Sequence, residues 1–151
     1  MRRAITAGTV WSAFLVVVFT IIGCRTNAPE TIAAGENCFR CRRVIADARL
    51  AAEMLNGRLP TKYRSPGCVA RYVKGHPGES MTLWVTDYPT GIMVRAERAW
   101  YVPILLNDRT GERDYRAYGR RDRAQAAAEE LGTGAVRWTT VVDRANTNAY
   151  F

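Results

Sequence analysis

Three cysteines in the body of the chain have the types and spacing for shared chemistry. Cys38 and Cys41 are spaced C-x-x-C, and Cys68 follows in the stretch SPGC. Thiolates bind metals, and a nearby cation lowers the pKa of a thiol from its usual value of about 8.5. Such cations flank the pair at three positions: Arg40, Arg42 and Arg43. Three soft donors suit Cu(I), and thiolates also bind Zn(II), so the cysteines are candidate metal ligands.

The N-terminus predicts export. Arg2 and Arg3 precede an uncharged, mostly apolar stretch that reaches Cys24, as in a secretory signal peptide over 1–23. Isoleucine, glycine and then cysteine resemble the lipobox of bacterial lipoproteins, which implies cleavage before Cys24 and lipidation of its thiol. An uncleaved membrane helix is the alternative, but the most apolar part, 10–23, is shorter than the roughly 20 residues of a span.

Export changes the interpretation of the cysteines, because disulfides persist in oxidising compartments. The competing possibilities are a Cys38–Cys41 disulfide, a Cys41–Cys68 disulfide, and inert buried cysteines. No second C-x-x-C exists to complete a four-cysteine zinc site, so copper is the preferred metal and zinc is less favoured. Spacing alone favours a disulfide.

Charge predicts the partners. The chain has 22 basic and 14 acidic residues, and without Arg2 and Arg3 its net charge falls from +8 to +6. A basic surface of this kind favours binding to anionic lipid headgroups or to an acidic protein partner, and Arg40, Arg42 and Arg43 are the candidate contacts. Genome bias can also enrich a protein in arginine without any role in binding. Nucleic acid is not an expected partner of an exported protein. The residue after Cys24 is Arg25, which favours the outer membrane, facing the periplasm.

Other residue types give little sign of catalysis. His76 is the single histidine, and it lies in a predicted loop without a nearby serine or carboxylate partner. Three methionines, Met54, Met81 and Met93, could offer thioethers, but methionine in strands usually packs in the core. The sequence lacks a nucleophile elbow, a phosphate loop and a paired-carboxylate pattern. We therefore expect that the protein is not an enzyme.

The elements that must position the cysteines are short. Residues 24–36 are small and polar, which predicts a flexible tether, and the domain is expected over 37–145, before a disordered tail at 146–151. The composition of 49–55 also suits a helix, but Asn56-Gly57 favours a hairpin between strands at 49–55 and 59–63. Ser65 and Pro66 predict a helix start with Ser65 as N-cap, and that helix ends at Gly75.

The second half of the chain is also predicted to form short strands and helices. Strands are predicted at 81–86, 92–95, 114–118 and 135–142, with a turn at 87–91 and one helical turn at 96–100. The alanine-rich stretch 121–131 is the clearest helix. The sequence thus predicts an α+β domain, a small antiparallel sheet of hairpins with about two packed helices.

With these pieces placed, the chain resembles the NosL family, the lipoprotein accessory factors of nitrous oxide reductase. The resemblance spans about 37–142, in addition to the lipobox. It is carried by CFRC at 38–41, SPGC at 65–68 with Tyr72, WVTDYPTG at 84–91, RAY at 116–118 and Arg137-Trp138.

The resemblance implies a periplasmic copper chaperone that supplies Cu(I) to the reductase. The family's ligands, a cysteine with a methionine two residues later and a methionine-glycine loop, fall here on Cys41, Arg43 and the loop Thr110-Gly111-Glu112. Arginine cannot bind a metal and repels a cation, and this loop contains no sulfur. Copper is therefore either held by Cys41 with Cys38 and Cys68, or metal binding has been lost and the scaffold kept.

Overall fold

Two antiparallel sheets and three helices form the domain. We analysed a computed structural model, which describes residues 28–57 and 59–146. The strands are β1 (Ala52–Asn56), β2 (Leu59–Tyr63), β3 (Thr82–Thr86), β4 (Met93–Arg95), β5 (Trp100–Asn107), β6 (Glu112–Tyr118) and β7 (Val136–Arg137). The helices are α1 (Pro66–Gly75), α2 (Arg121–Glu130) and α3 (Trp138–Arg144), and short 3₁₀ helices span Ala48–Leu50 and Ala96–Arg98. The predicted α+β class is confirmed.

The strands form two sheets where one was expected. The first has the order β2-β1-β3-β4, and the second has the order β6-β5-β7. Asp87 and Ala117 form a parallel bridge that joins them. The Asp87 carboxylate also accepts a hydrogen bond from the Gly119 N–H at 2.8 Å, so this residue ties the sheets together as well as closing the turn after β3.

The first hairpin and the first helix follow their local signals. In the β1–β2 hairpin, Asn56 pairs with Leu59, and Gly57 has a positive φ of 71°. Ser65 caps α1 as predicted, since its hydroxyl accepts a hydrogen bond from the Cys68 N–H at 3.2 Å, and Pro66 occupies the first turn. At these sites, turn and cap chemistry set the local backbone that the sequence predicts.

The predicted strand at 135–142 is wrong. Only Val136–Arg137 is extended, and the chain then forms α3, a third helix beyond the two expected. Trp138 and Val141, three residues apart, are the buried residues of α3, which packs against α1. A helical face that buries these side chains therefore outweighs the strand preference of the β-branched residues in this stretch.

The segment predicted as a tether contacts the domain in its described part. Residues 28–36 contain neither helix nor strand, yet Ile32 is buried and the Glu30 N–H donates to the Glu53 carboxylate at 3.1 Å. The predicted signal peptide, the lipidation site Cys24 and residues 147–151 of the predicted tail lie outside the described residues. Within the described part, no helix has the length and apolar character needed to cross a membrane.

A buried carboxylate on the second sheet holds the start of α1. Asp114 on β6 accepts hydrogen bonds from the Ser65 hydroxyl at 2.5 Å and from the Gly67 N–H at 2.8 Å. Burial raises the pKa of Asp114, and these donors and its own strand backbone oppose that shift. A Cβ atom at Gly67 would lie 2.8 Å from the carboxylate, so only glycine permits this approach. Asp114 therefore fixes the position of α1.

We expect Asp114→Ala to lower the free energy of unfolding by about 2–4 kcal/mol, because the buried Ser65 hydroxyl and Gly67 N–H would lose their acceptor. Urea denaturation of the reduced, metal-free protein measures this loss. The control is Asp108→Ala at an exposed position, which should change stability by less than about 0.5 kcal/mol. Equal stability of the two variants would show that the carboxylate does not fix the helix.

Candidate metal centre

The fold brings the sulfur atoms of Cys38, Cys41 and Cys68 within 4.8 Å of one another. The Sγ atoms of Cys41 and Cys68 are in contact, 3.8 Å apart. A disulfide has an S–S bond of about 2.05 Å, and all three cysteines are free thiols in this structure. The predicted cluster of three soft donors is therefore present and could bind a metal ion.

A tight turn places the first two sulfurs. The Cys38 N–H donates to the Arg43 carbonyl at 2.9 Å, and the Arg42 N–H donates to the Cys38 carbonyl at 3.0 Å. Arg42 adopts a positive φ of 60°, a conformation that side chains other than glycine seldom adopt and that is found where a chain must turn sharply. The turn therefore folds the C-x-x-C back on itself so that both sulfurs face the same side.

Neighbouring backbone anchors this turn to the first sheet. Asn37 and Val44 form an antiparallel bridge at its base, and the Phe39 N–H donates to the Lys62 carbonyl of β2 at 2.7 Å. The Phe39 ring also packs edge-on against Tyr63, with ring centroids 6.0 Å apart. The first sheet thus fixes the C-x-x-C, whereas Cys68 comes from the start of α1.

Burial and hydrogen bonding give the thiols different proton affinities. Cys38 and Cys68 are buried, and Cys41 is half-buried. The pKa of Cys38 is lowered to about 5, chiefly by a hydrogen bond from the Cys68 thiol and also by the N–H groups of Cys41 and Arg64, against the opposing effect of burial. The same hydrogen bond, followed by burial, raises the pKa of Cys68. The first proton of the pair is therefore lost more easily than that of an isolated thiol, and the second is held more tightly.

Arg64 supplies positive charge beside the sulfurs. Its pKa is raised because the effect of Cys68, Cys41 and Asp114 exceeds the lowering by burial. Its Nη2 atom forms an ion pair with Glu112, whose other carboxylate oxygen lies 3.5 Å from Nη1 of Arg43. Residues 64 and 112 are distant in sequence, so no local sequence pattern predicts this ion pair. The position of Arg64 next to Ser65-Pro66 was its only local signal.

The remaining candidates lie outside the sulfur cluster. Arg43 pairs with Glu112, the Arg42 guanidinium lies 5.8 Å from the centre of the Phe39 ring, and Arg40 is half-buried. Their contact with an acidic partner stays a prediction. His76 stacks on Tyr72 with ring centroids 4.0 Å apart and is not in the metal-ligand group.

The candidate methionines have contacts of their own. Met54 is buried, and its sulfur lies 3.9 Å from the hydroxyl of Tyr63, with which it forms a weak hydrogen bond. The sulfur of Met93 accepts a hydrogen bond from the hydroxyl of Thr86 at 3.2 Å. Met81 is half-buried and packs against the main hydrophobic core. These contacts agree with the expectation that methionine in strands packs in the core.

Comparison with known proteins gives no relative from which a function could be transferred. No protein-family model matches the chain, and no curated protein matches it. The resemblance to the NosL family rests on the motifs quoted in the sequence analysis and stays a prediction.

We expect the reduced, metal-free protein to form one thiolate with a midpoint near pH 5, because the Cys68 thiol and two N–H groups stabilise the Cys38 anion. Absorbance of thiolate near 240 nm, followed against pH, measures it. Cys68→Ala should move the midpoint up toward the ordinary value of about 8.5. Absence of any thiolate step below pH 7 in the wild-type protein would contradict the assignment.

Proposed function

We propose that this protein is a lipid-anchored, periplasm-facing carrier of Cu(I), which it binds through Cys38, Cys41 and Cys68 and delivers to a partner metalloenzyme. The approach of the three sulfur atoms to within 4.8 Å carries the proposal. The protein does no chemistry on a substrate in this proposal. The metal ion is cargo that arrives and leaves with its charge unchanged.

The spacing of the sulfurs suits an ion bound by three thiolates. With metal–sulfur bonds of about 2.3 Å, three sulfurs in a plane around an ion lie about 4.0 Å apart. The Cys41–Cys68 distance of 3.8 Å agrees with that value, and the upper limit of 4.8 Å leaves less than 1 Å of movement. The described residues offer three ligands in this group, one fewer than a structural zinc site has, which favours Cu(I).

Charge balance supports the same cargo. Three thiolates with Cu(I) carry two negative charges, which are costly to bury without a nearby cation. The Arg64 guanidinium lies beside Cys68 and Cys41 and offsets part of that charge. Because the pKa of Cys38 is lowered, its proton is displaced by a metal more readily than that of an ordinary thiol.

The exposure of Cys41 provides a route for transfer. Cys38 and Cys68 are buried in the hydrophobic core, whereas Cys41 is half-buried. A partner thiolate or thioether would approach the ion from the Cys41 side and replace that ligand first. A three-coordinate ion leaves room for such an incoming ligand, so transfer needs no unfolding of the core.

The client and the location rest on sequence resemblance. The lipobox ending at Cys24 supports an anchor in the cell envelope, with the outer membrane favoured. The NosL-like motifs support a client such as nitrous oxide reductase. In this proposal, the anchor confines the carrier to the membrane surface and so shortens its search for a client in the same compartment.

We expect the reduced protein to bind one Cu(I) per chain in competition with a Cu(I) chelator. Cys38→Ser/Cys41→Ser/Cys68→Ser should lose this binding, because a hydroxyl is a hard, protonated donor that suits Cu(I) poorly. The control Met81→Leu removes a sulfur that packs against the core and should leave the affinity unchanged. Wild-type affinity in the triple variant would rule out the cysteine site.

A disulfide-bonded scaffold lipoprotein with a basic docking face of its own is the second candidate. The 3.8 Å separation of the Cys41 and Cys68 sulfurs favours it, since a small movement would allow a bond. Formation of that bond would remove two protons and two electrons, which a disulfide oxidant of the periplasm would accept. It would also withdraw two of the three sulfurs from a metal.

For the carrier, we expect protein purified without reductant to retain its thiols and contain copper, because metal-bound thiolates are not free to form a disulfide. Intact mass measures this directly, since each disulfide lowers the mass by two hydrogens. A fully disulfide-bonded, copper-free product from the envelope would favour the scaffold. Cys68→Ser serves as the control, as it cannot form the Cys41–Cys68 bond.

A further inference from the structure

Two adjoining cavities next to α1 share an unusual number of arginines. One has a volume of about 310 Å³ and is lined by Arg71, Arg113 and Arg144 together with Asp114. The other, of about 510 Å³, is lined by Arg43, Arg71 and Arg113 together with Glu112. We call the four arginines, Arg43, Arg71, Arg113 and Arg144, the arginine groove. It lies outside the sulfur cluster.

Both acidic side chains in the groove already have partners. The Asp114 carboxylate accepts hydrogen bonds from Ser65 and Gly67, and Glu112 forms ion pairs with Arg43 and Arg64. The four arginines outnumber these two carboxylates, so the groove keeps an excess of positive charge.

Arg71 lines both cavities, as does Arg113, but Arg71 is the less exposed of the two. Its Nε and Nη1 atoms are buried and have no hydrogen-bond partner among the described residues. Buried donors without an acceptor cost free energy, and guanidinium N–H groups are arranged to bind two oxygens of one anion. Arg71 thus offers donors of the type that an oxyanion accepts.

The fold builds this arrangement with the same helix that carries Cys68. Gly67 and Arg71 are four residues apart in α1, so they lie on one helix face, and both line the smaller cavity. Arg144 of α3 lines the same cavity beside Tyr115, which places a second guanidinium there. Two elements, α1 and α3, therefore direct cations toward one space.

We propose that the arginine groove binds a phosphate-type oxyanion, with Arg71 as the main contact. The volume of the smaller cavity is ample for one phosphate group. The anion is either free phosphate or the phosphate of a lipid headgroup, which have the same charged oxygens. The site is independent of the sulfur cluster and of the proposed copper cargo.

Isothermal titration of the full-length, reduced, metal-free protein with inorganic phosphate tests this at constant ionic strength. We expect saturable binding that Arg71→Gln weakens about tenfold or more, since charged hydrogen bonds are lost. The control Arg123→Gln removes an exposed arginine of α2 and should bind as wild type. If Arg71→Gln fails to fold, Arg113→Gln at an exposed position takes its place, with weakening in the same direction.

A second titration, with glycerophosphoglycerol, separates the two sources of the anion. Tighter binding of this soluble diester assigns the site to a lipid headgroup, and tighter binding of phosphate assigns it to the free anion; both outcomes support the oxyanion site. Absence of binding by either ligand, or equal binding by Arg71→Gln and Arg123→Gln, would overturn the proposal.

Discussion

The hydrogen bonds of Asp114 to the start of α1 are the constraint on which the rest of the structure depends. This carboxylate belongs to the second sheet, and Cys68 lies in the first turn of the helix that it holds. Cys38 and Cys41 are held by the first sheet through the Phe39–Lys62 hydrogen bond. The three sulfurs can therefore meet only when both sheets are correctly joined. A buried carboxylate costs free energy, and its donors offset that cost.

Assembling thiols in this way also changes their chemistry. Burial alone would raise the pKa of every thiol, yet the Cys68 thiol donates to Cys38 and allows that residue to remain an anion. The pair thus shares one proton over a short distance. A soft cation that replaced the proton would contact the same sulfur atoms, and Arg64 would limit the negative charge that then accumulates. Proton sharing and metal binding are alternative uses of one arrangement.

The parts of the fold that depend on local sequence signals could be predicted from the sequence, whereas the parts that depend on long-range packing could not. Asn56-Gly57 and Ser65-Pro66 determine their own backbone, so the hairpin and the start of α1 were predicted. Strand β5 was not predicted, because its pairing with β6 along Trp100–Asn107 is a tertiary contact without a local signal. The three cysteines could be grouped from donor type and compartment. Arg64, Glu112 and Asp114 could not, since only the folded chain brings them to the site.

The two positions at which the chain departs from the NosL-like pattern also interact in the folded chain, which the sequence does not reveal. Arg43 stands where the resemblance implies a methionine, and Glu112 lies in the loop that would supply another ligand. These two residues form an ion pair at 3.5 Å. Glu112 therefore offsets part of the positive charge of Arg43, which would otherwise repel an approaching cation. An ion pair offers no soft donor, so coordination at this centre would be limited to the three cysteines, and an incoming ion would exchange ligands where Cys41 meets solvent.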